Sequence, residues 1–358
     1  MTYRRFIMFN SDLILSPYQL NEKITLKNRV IMAPMTRNMA NDDFSPTKQM
    51  ADYYARRADA GLIITEGTII SPDGQGYSNA PGIFTQTHID GWKMVTNAVH
   101  ERGGKIFLQI WHVGRVSHPI FLNGALPISA SETMMTGKVR RADALYYGKS
   151  RAATLEEISE LIQNYALAAK RAMTAGFDGI EIHGANGYLI DQFLHYHTNQ
   201  RDDHYGQYPE NMGRFALEVV KACINEIGGQ SVGLRLSPGA YLNEIVGDQR
   251  DAMVFQYLLE ELSDYGIAYV HTGNFDDGIQ FKELGFKAMT EFMRTHFKGT
   301  LIASGSYTLH QARKDIQNKK YDLIALGRPF IANPDLMNRI KLNADFIPYE
   351  NRMLETLF

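Results

Sequence analysis

His183, Asn186 and Tyr188 lie on one short stretch of the chain, inside the run from Ile180 to Phe193, separated by glycines and alanine. An imidazole, an amide and a phenol can each donate a hydrogen bond to a substrate oxygen, and the phenol can also pass on a proton. An apolar strand pattern at 179–182 runs straight into His183, and an apolar helical pattern begins a few residues beyond. Polar groups at the carboxyl end of a buried strand are where α/β barrels place their active sites. A lone histidine at such a turn is more often a satisfied core residue; three hydrogen-bonding groups on one turn favour a site.

Other strand ends carry polar residues too. Ala33-Pro34-Met35-Thr36-Arg37, Thr65-Glu66-Gly67-Thr68, Gln109 to Arg115 and Leu234-Arg235-Leu236-Ser237 each close an apolar stretch. Taken singly, Thr36 could cap a helix, Gln109 could satisfy backbone groups and Arg235 could pair with a carboxylate. Polar side chains in a packed barrel are costly unless satisfied, so a set facing one mouth suggests a shared, flat, polar ligand. Near the end of the chain, Ala303-Ser304-Gly305-Ser306 and Ala325-Leu326-Gly327-Arg328 follow two further apolar stretches. That is the recurrent phosphate position of barrel enzymes, with glycines allowing close approach and Arg328 adding charge.

The elements that would hold these groups alternate regularly. Strand patterns at 30–33, 62–65, 106–110, 179–182, 232–236, 268–271, 301–303 and 323–325 interleave with helical patterns at 48–59, 89–102, 155–175, 214–227, 253–265, 287–296, 309–316 and 334–342. Eight such pairs predict a single (β/α)8 TIM barrel domain. Residues 18–27 read as a hairpin ahead of the first strand, covering the barrel floor. Residues 114–153, rich in Gly, Pro, Ser and Tyr, form an insertion after the third strand, a cap or lid over the catalytic face, and 194–212 is a shorter polar excursion.

Composition narrows the function classes. The 358 residues are 44% hydrophobic with a formal net charge of -2, which supports a large core and gives nucleic acid or an anionic membrane no electrostatic footing. Cys223 is the single cysteine, which excludes an internal disulfide and any multi-cysteine metal or iron–sulfur site. No apolar run approaches a membrane span. Arg4-Arg5 and the apolar run to Phe9 stop too soon for a signal peptide, so the cytoplasm is the expected compartment. His195, His197 and His204 lack a metal-site motif and read as part of a polar loop. Gly74-x-Gly76 is too short for a dinucleotide fingerprint, there is no Gly-x-Ser-x-Gly elbow, and no carboxylate pair stands out for glycoside chemistry.

Assembled in order, these segments resemble the old yellow enzyme family of FMN-dependent ene-reductases over residues 18–342, on the main-subclass pattern of Thr36 and Trp111-His112-Val113-Gly114-Arg115. The resemblance implies tightly bound, non-covalent FMN and NAD(P)H as the reducing co-substrate. By the same resemblance, Pro34, Met35, Thr36, Gly67, Gln109 and Arg235 contact the flavin ring, while Gly305, Ser306, Gly327 and Arg328 hold its phosphate. His183 and Asn186 bind the oxygen of an electron-poor alkene (an α,β-unsaturated carbonyl or a nitroalkene), Tyr188 donates the proton, and Tyr77 and Trp111 line the pocket. The expected reaction is ping-pong, in a monomer or homodimer. The stretch Tyr205 to Arg214 and the tail from Asp345 to Phe358 depart from the family pattern. The competing functions are a non-catalytic or sensory FMN-binding barrel and a phosphate-binding barrel aldolase or isomerase. The multidomain dienoyl-CoA reductase branch needs an iron–sulfur cluster, which one cysteine excludes.

Overall fold

The computed structural model describes residues 12–358 apart from 141 and 143, so the charged and apolar run before Asp12 lies outside the described residues. Eight parallel strands close on themselves. They are β1 (Val30–Met32), β2 (Leu62–Ile64), β3 (Ile106–Trp111), β4 (Gly179–Gly184), β5 (Val232–Leu236), β6 (Tyr269–Thr272), β7 (Leu301–Ala303) and β8 (Leu323–Leu326). Each pairs with its neighbours in sequence, and β8 pairs with β1 to close the ring. All eight are the expected strands, with ends shifted by at most two residues. The chain is a (β/α)8 TIM barrel.

Local chemistry explains the surrounding helices. Thr154 caps Leu155–Thr174 in a reciprocal capping box with Glu157, and Thr85 does the same for Gln86–His100 with His88. The helix after β1, Lys48–Ala55, takes its cap from Thr47 and not from Thr36. The helix Arg214–Ile227 buries one apolar face that includes Cys223, which has no solvent exposure.

Alternate residues of β3 to β6 point into the barrel and stack in layers, as the strand period requires. The lowest layer holds Phe107 and Tyr269, whose rings lie over Gly179 and Gly233. A Cβ at Gly233 would stand 2.3 Å from the Tyr269 ring. The hairpin formed by Tyr18–Gln19 and Thr25–Leu26 brings Leu20, Ile24 and Leu26 against this layer and seals that end. Gly233→Ala should therefore cost about 1–3 kcal/mol through overpacking, read as a lower denaturant midpoint. An unchanged midpoint would mean that the ring has room to move.

The insertion 114–153 rises over the opposite end. Ile128–Ser129 pairs with Arg151–Ala152, and antiparallel bridges join Met134 to Lys149 and Lys138 to Tyr146. From this hairpin, Met135, Val139 and Tyr147 pack on Tyr77, Trp111 and Tyr188. The insertion is fastened to the stretch after β5: the Glu244 carboxylate accepts the N–H of Gly137 at 2.7 Å, and Arg115 donates to the carbonyls of Asn243 and Glu244 at 3.0 and 2.9 Å.

Candidate active site

Strand register decides which side chains share the mouth. His183 on β4 lies beside Arg235 on β5, which lies beside His271 on β6, and Gln109 on β3 lies beside Glu181 on β4. Partners in register leave the same face of a sheet, so this inner layer is polar above the aromatic floor.

Glu181 sits at its centre, fully buried. One carboxylate oxygen accepts Gln109 Nε2 at 2.7 Å and the other is 2.8 Å from His271 Nδ1. Burial pushes the carboxyl upward, but the His271 contact, Arg235 and the Gln109 amide outweigh it and hold the group below its ordinary pKa. Burial pushes His271 below its own ordinary value, against the pull of the Glu181 carboxylate. Arg235 is buried, forms no ion pair among the described residues, and leaves its Nε without a partner. A buried guanidinium with an unspent donor calls for a ligand there. A flat, hydrogen-bonding ring beside Arg235 and Gln109 answers it, so these residues fit a flavin.

Pro34, Met35 and Thr36 follow β1 half-buried, and their loop is held from behind. Glu66 Oε2 accepts the backbone N–H groups of Arg37 and Asn38, both at 3.0 Å. No side-chain hydrogen bond of Thr36 forms within the described residues, which leaves its hydroxyl for a ligand. Gly67 lies against Trp111, whose ring a Cβ would meet at 2.7 Å. Across the mouth, Arg328 Nη2 donates to Ser306 Oγ at 2.9 Å, joining the loops after β7 and β8. Ser306 spends its own proton on the Phe275 carbonyl at 2.7 Å, so its contribution to an anion is its backbone N–H. Gly327 heads the short helix Arg328–Ala332 with no side-chain cap; Pro329 has no N–H and those of Phe330 and Ile331 bond to the Gly327 carbonyl, so the Arg328 N–H is the first-turn donor left for a phosphate.

Of the three groups that opened the sequence analysis, His183 and Tyr188 come together with ring centroids 4.9 Å apart, and Asn186 lies on the turn between them. His183 Nδ1 accepts the Ala185 N–H at 3.3 Å, which places the ring proton on Nε2. Burial, then Arg235 and His271, push His183 well below its ordinary pKa, so it is a neutral donor. Trp111 stacks on it with centroids 5.7 Å apart, and Tyr77 also stacks on Trp111 at 5.6 Å. Tyr188 is buried and its hydroxyl lies 2.8 Å from that of Tyr77. Burial raises the Tyr188 pKa, against opposition from Arg140 and the Tyr77 hydrogen bond. Every residue that the resemblance gave to flavin or substrate thus lies on the β1, β2, β3, β4, β5, β7 or β8 loops or on the strand ends beneath them.

His195, His197 and His204 do not come together. His195 is buried between Asp251, 2.8 Å from Nδ1, and Asp191, 3.5 Å from Nε2. His197 accepts the Val246 N–H at 3.2 Å, and His204 lies against Tyr205. A cavity of about 820 Å³ is lined by residues of the helices Met289–His296 and Leu309–Gln317 and by Gly305 and Ser306.

Residues 14–345 match the family described as the NADH:flavin oxidoreductase / NADH oxidase family. The chain belongs to this family. Among solved structures, this flavin oxidoreductase is similar to the old yellow enzyme homologue of Zymomonas mobilis, with 37% identity and a TM-score of 0.89 over 95% of this chain and 96% of that one. It is also similar to morphinone reductase, at 41% identity and a TM-score of 0.87 over 95% and 92% of the two chains. Among curated proteins it shares 39% identity with 12-oxophytodienoate reductase 2 of Arabidopsis thaliana, over 96% of this chain and 92% of that one. The protein is an FMN-dependent, NAD(P)H-using ene-reductase of the old yellow enzyme family; the sensory and aldolase alternatives are not favoured.

Proposed function

We propose that the barrel mouth is the site at which this reductase acts on electron-poor alkenes, with His183 and Asn186 holding the activating oxygen and Tyr188 supplying the proton. What carries this reading is the pair of donors left unspent on one turn, His183 Nε2 and Asn186 Nδ2, with the Tyr188 hydroxyl beside them in a hydrogen bond with that of Tyr77. Pro34, Met35, Thr36, Gly67, Gln109 and Arg235 would hold the FMN ring, and Gly305, Ser306, Gly327 and Arg328 its phosphate. Bound FMN supplies the hydride that it receives from NAD(P)H.

The chain's own residues do the rest. His183 and Asn186 donate to the carbonyl or nitro oxygen, drawing electron density from the alkene so that its β-carbon accepts hydride. Both bonds strengthen as negative charge grows on that oxygen, which favours the transition state over the bound substrate. Tyr188 gives its proton to the α-carbon, and the Tyr77 hydroxyl steadies the oxygen left behind. Tyr77 and Trp111 form the aromatic wall, and the insertion 114–153 acts as a lid that keeps water from the mouth. Among the described residues no helix is long and apolar enough to cross a membrane. We also place it in the cytoplasm as a monomer or homodimer, and a net charge of -2 gives nucleic acid no electrostatic footing.

The purified protein should be yellow, with an FMN absorption spectrum. Arg328→Ala should lower FMN affinity about tenfold or more, by removing a charge-assisted bond to phosphate, while the far-ultraviolet circular dichroism is unchanged. A colourless protein that cannot be reconstituted with FMN would sink the proposal.

A further inference from the structure

Asn186 takes a left-handed backbone conformation, φ 63°, and has four polar groups to satisfy: its N–H, its C=O, Oδ1 and Nδ2. Its N–H donates to Ser237 Oγ at 2.7 Å, its carbonyl accepts from Asn243 Nδ2 at 2.7 Å, and its Oδ1 accepts from the Tyr241 hydroxyl at 2.6 Å. All three partners come from one stretch, the end of β5 and the loop that follows it. Only Nδ2 is left without a partner among the described residues.

A carboxamide is nearly symmetric in shape, and only its hydrogen bonds tell one end from the other. Turned by half a revolution, Asn186 would present a carbonyl oxygen to the substrate oxygen, replacing attraction by repulsion. The Tyr241 hydroxyl disfavours this: it donates to Oδ1, and against a turned amide it could accept from Nδ2 only by leaving its own proton without an acceptor among the described residues. We propose that Tyr241 is a positioning residue, which sets the orientation of the Asn186 amide so that Nδ2 faces the substrate oxygen. The inference rests on the reading of Asn186 as an oxygen-binding donor.

Tyr241 suits the task. Its ring is half-buried and edge-on to Phe275, with centroids 5.3 Å apart and planes at 89°. Burial keeps its phenol protonated well past neutral pH, so the donor does not switch off. Tyr241→Phe keeps the ring and its packing and removes only the hydroxyl.

The test uses the FMN-loaded protein and para-chlorophenol, a probe whose oxygen mimics the anionic oxygen of the reaction. Tyr241→Phe should weaken probe binding about tenfold and raise the pH at which the bound phenol ionises by about one unit, with FMN content unchanged. Asn186→Ala should weaken binding at least as much, and adding Tyr241→Phe to Asn186→Ala should cost nothing further. Wild-type binding by Tyr241→Phe, with Asn186→Ala impaired, overturns the role given to Tyr241. So does a further loss in the double variant, since Tyr241 would then touch the ligand itself. If Asn186→Ala binds the probe as wild type does, the underlying assignment of Asn186 falls instead. Should Tyr241→Phe fail to fold, Tyr241→Leu, which also lacks the hydroxyl, poses the same question with the same expected and overturning results.

Discussion

Tyr188→Phe should leave the bleaching of the flavin by NAD(P)H nearly intact and slow cyclohexenone reduction roughly a hundredfold or more, the scale expected for loss of a positioned acid. The phenol takes no part in accepting hydride from the nicotinamide, so the first half-reaction has nothing to lose. In the second, the α-carbon of an enone is weakly basic and needs its proton as hydride arrives. Nitroalkenes should suffer less, because a nitronate is stable enough to wait for a proton from water. The geometry also sets a pH expectation. Burial raises the Tyr188 pKa above its ordinary value, so the acid form persists through neutral pH and into the alkaline range. Wild-type enone reduction should show no fall from Tyr188 ionisation between pH 6 and about 9. Stopped-flow measurement of each half-reaction checks both points. Equal losses in the two halves, or none with cyclohexenone, would take the acid role away from Tyr188.

His195→Gln should destabilise the fold by about 3–5 kcal/mol, the usual cost of stripping one partner from a buried ion pair. His195 has no solvent exposure and lies between the equally buried Asp191 and Asp251. Burial opposes its charge, but the two carboxylates prevail and raise its pKa from 6.5 to about 10. Because the folded pKa lies above the unfolded one, this contribution is fully present below about pH 6.5 and fades as pH rises through about 10. Denaturant midpoints measured across that window should fall with pH in the wild type and lose most of that slope in the variant. An unchanged slope would show that His195 is neutral in the folded protein. Asp191 also accepts the Gly187 N–H at 2.7 Å and a bond from Ser237 at 3.2 Å. The variant should therefore also raise the KM for alkenes by loosening the turn that carries Asn186 and Tyr188.

How much of this could be seen in the chain beforehand follows from what is local and what is not. The barrel strands are legible because each is a short apolar run stopped by polar or glycine residues, and a parallel sheet covered on both faces needs such runs. Thr36, Gln109, Arg235 and Arg328 stand out because they are polar where such a run ends. Glu181 and His271 lie in equally telling places, charged or polar inside buried strands, yet their role needed the knowledge that both point inward. Glu66 was visible as a residue of the β2 loop, but nothing local shows that it holds the loop after β1. The same limit applies to Tyr241, Ser237 and Asn243, whose partner lies about fifty residues earlier in the chain. His195 and Asp191 are one helical turn apart, whereas Asp251 is supplied by a different element, so spacing could suggest half of that ion cluster at most. The insertion 114–153 showed as loop chemistry, and its small paired segments carry too few residues to announce themselves.

Cys223 lies on the helix Arg214–Ile227 with its thiol sealed in the core and its ionisation pushed far upward by burial. Alkenes conjugated to a carbonyl or nitro group alkylate thiolates, so an enzyme that concentrates such compounds risks being modified by what it consumes. A thiol that neither meets solvent nor ionises offers them no nucleophile. Since Cys223 is the sole cysteine, the folded protein has no thiol for its own substrates to poison.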